Sequence, residues 1–292
     1  MSIWTELMGH EVKQTFYNAK DVRTRCIEAG SGKPIIFLHG TGGHAEAYTR
    51  NIVEHAKHFH VYAVDMVGHG YSDMPDLNYN YEDYVNWLRD FVDTIGADKV
   101  SVSGESLGAQ VAQLFSIRHP DRTDKIILNT GMMWPPDEEG RRQLIDFVER
   151  SRAAAAAGGG AITREAVRNR LNWLMFDPEK SVTEELVDIR YAIYTQPDRA
   201  AAMKKIAEAS IGGILAENLV RDYANPAFLG RAKCPALILW TRHNPGQGIA
   251  VAEAALKHIP NARMVVMENS AHWPQWEEPD VFNKIHIEFL KG

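Results

Sequence analysis

The chain has 292 residues, 45% of them hydrophobic and 24% charged, with a formal net charge of -6 and a pI near 6.1. That length can bury one large α/β domain or a domain carrying an insertion. The acidic balance, with no dense Lys/Arg stripe, argues against nucleic acid as a partner. Met1 to Leu7 shows no basic start and no sustained apolar stretch, and no 18 apolar residues run together anywhere, so the sequence reads as a soluble, cytoplasmic protein without a membrane partner. Cys26 and Cys234 are its two cysteines, which indicates no disulfide framework; both are expected to be buried and reduced.

Along the chain, short β-branched runs alternate with longer amphipathic ones, the pattern of a parallel sheet wrapped by helices. Strands are predicted at Val22–Ala29, Ile35–His39, Val61–Asp65, Val100–Ser103, Lys125–Asn129, Ala236–Trp240 and Arg263–Met267. The spacing of Tyr84, Val85, Leu88, Phe91, Val92 and Ile95 predicts a helix over Tyr81–Ile95, with Gly96 as its stop. Pro279 opens a final helix that runs to about Leu290. The alternation breaks after Asn129, and no strand-like run occurs from Trp134 to Leu229. Residues 134–229 therefore read as a helical cap inserted into a core formed by residues 1–133 and 230–292. Inside it, Ala153–Ala157 followed by Gly158-Gly159-Gly160 reads as a helix end and a loop. Leu171, Trp173, Leu174, Met175 and Phe176 form an apolar cluster suited to helix packing or to the ceiling of a substrate pocket.

The sharpest chemical signal is Gly104-Glu105-Ser106-Leu107-Gly108, between a predicted strand and the helical run that follows Ala109. It places a serine at a nucleophile elbow, where glycines at both ends let strand and helix backbones approach closely. A serine hydroxyl needs a neighbouring base to take its proton. His272, in Glu268-Asn269-Ser270-Ala271-His272-Trp273-Pro274 just after the last strand, is the histidine that a loop would carry to the same sheet edge. The glycine-rich stretch His39-Gly40-Thr41-Gly42-Gly43 offers backbone for an oxyanion hole, with Leu107 N–H as one donor and Thr41 or Gly42 N–H as the other. This stretch lacks phosphate-loop spacing, and no Gly-x-Gly-x-x-Gly follows the first strand. His55, His58 and His60 have no carboxylate or cysteine arranged beside them and read as surface histidines. No cofactor and no metal is expected.

With these residues in place, the chain resembles the α/β-hydrolase superfamily from about residue 20 to its C-terminus. The resemblance implies an α/β-hydrolase fold: a mostly parallel central sheet flanked by helices, with the helical cap inserted after strand 6. Asp65-Met66-Val67-Gly68-His69-Gly70-Tyr71-Ser72-Asp73 resembles the family's structural D-x-x-G-x-G-x-S turn. More narrowly, Trp173 to Pro178, Val182 to Val187 with Arg190-Tyr191, and His272 to Glu277 are similar to the meta-cleavage product hydrolases, which cut a carbon-carbon bond in ring-fission products. That similarity implies that Arg190 and Trp273 line the substrate site. Trp173, Phe176 and His39 are expected beside them. Two departures stand out: Glu105 replaces the asparagine usual before the serine, and Thr41-Gly42-Gly43-His44 replaces the usual Gly/Ser-Gly-Pro-Gly. A negative Glu105 beside a dienoate carboxylate would cost binding energy unless protonated or paired, and Gly-Glu-Ser is also an elbow of carboxylesterases.

A third departure concerns the acid. Asn244, in Thr241-Arg242-His243-Asn244-Pro245, stands where the family carries its triad aspartate. An aspartate orients the histidine and stabilises the imidazolium, and in serine proteases its change to asparagine lowers turnover about ten-thousandfold. Three explanations compete: Glu105 supplies the missing carboxylate, Asn244 suffices for an undemanding substrate, or the chain is a slow variant. The reading that follows is a serine hydrolase of a carboxylic ester or lactone with a small to medium apolar or aromatic group. Carbon-carbon hydrolysis of a vinylogous diketone is the alternative, and a non-catalytic ligand-binding homologue with a decayed triad is a rival of another class. The expected partner is a small-molecule substrate, and the sequence leaves a homo-oligomer open.

Overall fold

The computed structural model describes residues 2–133, 138–156, 162–197, 199–215 and 223–292; the expected Gly158–Gly160 loop and Trp134 lie outside them. Eight strands form one sheet: β1 (Val12–Ala19), β2 (Val22–Gly30), β3 (Pro34–Leu38), β4 (His60–Val64), β5 (Val100–Glu105), β6 (Thr123–Asn129), β7 (Ala236–Thr241) and β8 (Ala262–Met267). Their order is β1-β2-β4-β3-β5-β6-β7-β8. Strand β2 is antiparallel to both β1 and β4, and the pairs from β4 through β8 are parallel. All seven predicted strands are present. The unpredicted β1 is an edge strand whose Lys13, Gln14, Phe16 and Asn18 face solvent, so it carries no continuous apolar run. By contrast, every residue of β5 and β7 is buried, as expected of central parallel strands covered on both faces.

Helices α1 (Thr49–Ala56), α2 (Tyr81–Thr94) and α3 (Leu107–Arg118) precede β6. Asn80 starts α2 by a capping box with Asp83, each side chain accepting from the other's backbone N–H, which fixes the helix start where the periodicity places it. Between β6 and β7 the described residues hold α4 (Glu138–Ala156), α5 (Arg164–Leu174), α6 (Pro178–Ser181), α7 (Glu184–Tyr194), α8 (Arg199–Leu215) and α9 (Pro226–Leu229), and no strand. Then come α10 (Ile249–Leu256), α11 (Pro274–Glu277) and α12 (Pro279–Lys291). Apolar side chains of α2, α3 and α10 pack one face of the sheet around Phe91, Phe115 and Trp240. Those of α1 and α12 pack the other, around Phe37, Tyr48 and Phe282.

The inserted helices are tied to the core through the loop that carries His272. The His272 amide donates to the Leu174 carbonyl at the end of α5 (2.9 Å), and Trp276 Nε1 donates to the Ser181 carbonyl (2.9 Å). The Glu277 carboxylate accepts from Ala271 N–H at 2.8 Å on the core side and from Phe176 N–H at 2.6 Å on the inserted side. Burial raises the Glu277 pKa against the pull of these amides. The Asp65 turn is structural, as its motif implies. Its carboxylate accepts from Ala45 and Tyr71 N–H (2.7 and 2.8 Å) and from buried Arg25 (3.1 Å), and a Cβ on Gly70 would strike it at 2.0 Å.

Two expectations about single residues need correction. Cys26 is fully buried in β2, but Cys234 is only partly buried. His55 is not a surface residue: it is enclosed under α1, with Nδ1 on the Asn51 carbonyl (2.8 Å) and Nε2 on His286 Nδ1 (2.9 Å). Its place on the inward face of an amphipathic helix overrides the polarity of its neighbours. No helix among the described residues is long and apolar enough to cross a membrane, and no group of three or more His, Cys, Asp or Glu gathers among them as a metal site.

Burial pushes several histidines down: His55 to about 4 and His39 and His69 to about 3. A depressed histidine is neutral in the folded chain while its unfolded counterpart, near 6.5, takes up a proton. Its stability contribution is therefore complete above pH 6.5 and is lost as pH falls toward the folded value; for His55 this amounts to roughly 3 kcal/mol. Among the described carboxylates, Glu277 has a raised pKa and acts in the opposite sense. Urea unfolding at pH 7.5, 6.0 and 5.0 should show the midpoint falling with pH. Glutamine at position 55, which keeps a hydrogen-bonding side chain without titrating, should shallow that slope.

Candidate active site

Strand β5 runs straight into α3 through Ser106, whose backbone sits at φ 54°, ψ -113°, a strained conformation for a residue with a side chain. The surrounding contacts leave room only for glycine. A Cβ on Gly104 would lie 2.0 Å from the Gly108 carbonyl carbon, and one on Gly108 would lie 2.3 Å from the Leu38 oxygen of β3. The turn lifts Ser106 to the carboxyl end of the sheet, where it lines a cavity of about 140 Å³ together with Thr41, Glu105, Leu107, His272 and Trp273. Leu107 opens α3, so its N–H is among the donors that a helix start leaves unused. The inserted helices contribute Phe147 from α4, Arg170 and Leu174 from α5 and Arg190 from α7 to the same cavity.

His272 is buried and held at several points. Its carbonyl accepts from Thr130 Oγ1 (2.8 Å), and its Nδ1 lies 2.7 Å from Asn244 Oδ1. Asn244 Nδ2 donates to the Gln247 carbonyl (3.3 Å), which leaves Oδ1 as the acceptor for the imidazole Nδ1–H. The other ring nitrogen, Nε2, is 3.1 Å from Glu105 Oε1. The second Glu105 oxygen accepts from Gly40 N–H at 2.7 Å. Asparagine and glutamate thus approach opposite sides of one imidazole ring. Gly40 is confined by this arrangement, because a Cβ there would meet Glu105 Oε2 at 2.6 Å.

The structure brings Ser106, Leu107, Thr41, Glu105, His272, Arg190 and Trp273 together on the cavity wall, sets Asn244 behind His272, and leaves His39, Gly42, Trp173 and Phe176 outside. His39 is enclosed: its Nδ1–H donates to the Gly40 carbonyl (2.8 Å) and its Nε2 accepts from Met66 N–H (3.1 Å), so both nitrogens brace the loop rather than face a ligand. Burial holds it neutral, at about 3. Gly42, at φ 70°, accepts from Tyr194 Oη at its carbonyl (2.6 Å), while Thr41, beside Gly40 and Gly43, lines the cavity. Trp173 stands behind the wall, its ring 5.2 Å from Phe147 and 4.5 Å from the Arg170 guanidinium. Phe176 is exposed and stacks on His243 at 4.2 Å, because α5 has ended and the chain turns outward there.

Arg170 and Phe147 were not among the expected residues. Arg170 belongs to an otherwise ordinary amphipathic helix, and its only sequence cue is the Arg170-x-x-Trp173 spacing, which does not tell an inward arginine from a surface one. Burial pushes its guanidinium down to about 10, and the nearby Arg190 charge adds to this against Tyr194 and Glu105.

The model of the alpha/beta hydrolase fold family matches residues 33–279. The chain belongs to the α/β-hydrolase family. Among its relatives, a 2-hydroxy-6-oxo-6-(2'-aminophenyl)hexa-2,4-dienoic acid hydrolase of Metapseudomonas resinovorans is 26% identical, covering 95% of this chain and 90% of the relative. A 2-hydroxy-6-oxo-6-phenylhexa-2,4-dienoate hydrolase of Burkholderia cepacia is 28% identical over 92% of this chain and 91% of its own length. The solved 2-hydroxy-6-oxo-6-phenylhexa-2,4-dienoate hydrolase of Rhodococcus sp. strain RHA1 superposes with a TM-score of 0.81 at 23% identity, covering 97% of this chain and all of that one. This α/β hydrolase therefore resembles the meta-cleavage product hydrolases, as its motifs indicate.

The geometry of this hydrolase separates tight positions from tolerant ones. Gly108→Ala should lower stability by about 1–3 kcal/mol through its collision with β3, whereas Phe176→Ala should stay within about 0.5 kcal/mol of the unmodified chain. Urea midpoints measure both, and equal losses at the two positions would contradict the packing described.

Proposed function

We propose that the chain hydrolyses a carbon-carbon bond in a vinylogous diketone that bears a carboxylate, the helices of residues 134–229 serving as a cap over the core. The observation that carries this reading is the presence of buried Arg190 and of Arg170 in the same small cavity as Ser106 and His272. Hydrolysis of an ester or lactone calls for no such cationic wall, whereas a dienoate carboxylate does. The relatives are named for dienoate cleavage, which supports the same reading. The expectation of ester hydrolysis gives way accordingly. Its main ground was the negative charge of Glu105, but that carboxylate is engaged by Gly40 N–H and lies beside His272, and two guanidiniums line the cavity with it.

In this mechanism Ser106 attacks the ketone carbonyl as its proton passes to His272 Nε2. The resulting oxyanion is held by the N–H groups of Leu107 and Thr41. Collapse breaks the carbon-carbon bond, and the departing carbon takes the electron pair. That step is feasible because the vinylogous carbonyl delocalises the charge as an enolate, whose carbon then takes the proton held on His272 Nε2 and so restores the neutral base. Water, deprotonated by His272, releases the acyl group from Ser106. Two residues divide the work of the usual aspartate. Asn244 fixes the tautomer and orientation at Nδ1, and Glu105, at 3.1 Å from Nε2, offsets the positive charge of the imidazolium.

Glu105→Gln, which can still accept from Gly40 N–H, should lower kcat by about a hundredfold or more. Asn244→Asp should raise it by no more than about tenfold, because a carboxylate oxygen would then face the Gln247 carbonyl without a hydrogen between them. Steady-state kinetics of both variants decide whether this division of roles holds. Substrate class is tested by following loss of a coloured ring-fission dienoate beside release of p-nitrophenol from a short-chain ester: faster turnover of the dienoate is expected, and the reverse order would return the assignment to ester hydrolysis. Failure of a fluorophosphonate to label Ser106 in folded protein would favour the non-catalytic reading.

A further inference from the structure

The turn that carries Thr41 is held by groups from separate parts of the chain. Gly43 N–H donates to the Gly40 carbonyl (2.9 Å), closing a β-turn over Gly40–Gly43 whose third residue, Gly42, stands at φ 70°. His39 Nδ1–H donates to the same Gly40 carbonyl (2.8 Å), and Gly40 N–H donates to Glu105 (2.7 Å). A further hold comes from the inserted helices: Tyr194, the last residue of α7, donates its hydroxyl to the Gly42 carbonyl at 2.6 Å. That contact needs glycine at position 42. A Cβ there would lie 2.5 Å from Tyr194 Oη, and the backbone is left-handed besides.

Taken in order, these bonds form a line that ends at Thr41. The Tyr194 hydroxyl donates to the carbonyl of the Gly42–Gly43 peptide, and the N–H of that peptide donates to the carbonyl of the Gly40–Thr41 peptide. The N–H of this second peptide belongs to Thr41. A peptide whose carbonyl accepts a hydrogen bond is a better donor at its N–H, so bonds linked in this way strengthen one another. Glycine at position 43 permits the middle link, since the proline usual there in the meta-cleavage product hydrolases has no N–H to give. We propose that Tyr194 is a positioning residue of the reaction: from α7, its hydroxyl fixes and polarises the Gly40–Gly43 turn so that Thr41 N–H meets the oxyanion as a strengthened donor. This rests on the reading of Ser106 as nucleophile and Thr41 N–H as oxyanion donor, and holds whichever bond is cleaved. Arg190 stands one turn earlier on the same helix, its guanidinium carbon 5.9 Å from the Tyr194 ring. One rigid element thus carries both the arginine that would seat the substrate carboxylate and the hydroxyl that holds the oxyanion turn.

The test compares an oxyanion with its uncharged counterpart and requires no turnover. Benzyl trifluoromethyl ketone and benzyl methyl ketone share a carbon frame, but only the first is electrophilic enough to hold a serine adduct. In that adduct a bond forms from Ser106 Oγ to the carbonyl carbon, the carbonyl electron pair moves to oxygen, and the serine proton passes to His272 Nε2. Both ketones are titrated calorimetrically into the unmodified protein and into Tyr194→Phe, with a melting curve on each to report folding. Removing an oxyanion donor outright costs about a hundred- to a thousandfold, and a donor that stays but loses its support should cost less. Tyr194→Phe should therefore weaken the trifluoromethyl ketone at least about tenfold and leave the methyl ketone within about threefold. An unchanged affinity for the trifluoromethyl ketone overturns the proposal, and so does an equal loss for both ketones, which would mark a reshaped pocket. Gly42→Ala gives a second line of test, because its Cβ would meet Tyr194 Oη at 2.5 Å but Cζ only at 3.5 Å. The double variant should bind the trifluoromethyl ketone no worse than Gly42→Ala alone; losses that multiply would separate the two residues and overturn the proposal. If the unmodified protein shows no preference for the trifluoromethyl ketone, the oxyanion assignment falls and this inference with it. A Tyr194→Phe effect without any dienoate turnover would leave this inference standing and remove the carbon-carbon hydrolase reading.

Discussion

Ser106 is held in a backbone conformation that residues with side chains rarely adopt, and its neighbours are arranged around that strain. Gly104 and Gly108 lie against each other across the turn, and Gly108 lies against the last residues of β3, so any side chain at these points collides with backbone. Because strand, turn and helix cannot relax independently, three things are placed by one constraint. The hydroxyl stands at the sheet's carboxyl edge, Leu107 at the start of α3 lines the same cavity, and Glu105, the last residue of β5, is directed at the neighbouring loop. Strain of this kind persists only where the surrounding packing enforces it. Here the enforcement comes from fully buried central strands.

The same rigidity explains how asparagine can occupy the acid position. In a triad, one carboxylate both orients the imidazole and balances its charge. In the mechanism proposed for this chain the two tasks are separated by nitrogen: Asn244 lies at Nδ1 and Glu105 at Nε2. Glu105 reaches Nε2 because the elbow delivers it there, and its other oxygen is anchored to Gly40 N–H in the loop that also carries Thr41. The elbow, the glycine loop and the histidine are thereby mechanically connected. The inserted helices join this assembly through Leu174, Tyr194 and the Glu277 carboxylate, so movement of those helices would reach the histidine loop and the oxyanion loop together.

Much of this was legible from spacing. The seven apolar strands, the capped α2, the elbow, the glycine loop and the loop histidine all follow from periodicity and from residues whose backbone demands are narrow. The misreadings have a common cause. Edge strand β1 and buried His55 were hidden because exposure, not residue type, decides how such stretches look. Phe176 and His39 were placed one step wrongly for the same reason: each stands next to residues of the site, and a turn of the chain or a hydrogen bond to its own loop directs it elsewhere.

The sequence by itself determined the fold class, the serine, the histidine and the identity of the residue in the acid's place, because each is bound to a local pattern of glycines and strand ends. What only the tertiary structure decided is charge. Whether Glu105 repels a substrate or serves the histidine, and whether an arginine on an amphipathic helix faces water or the reacting centre, depends on which groups meet across elements far apart in the chain. Electrostatic energy varies with distance and burial rather than with sequence separation. Glu105 beside His272, with Arg170 and Arg190 on the wall of the same cavity, is therefore visible only in the folded molecule.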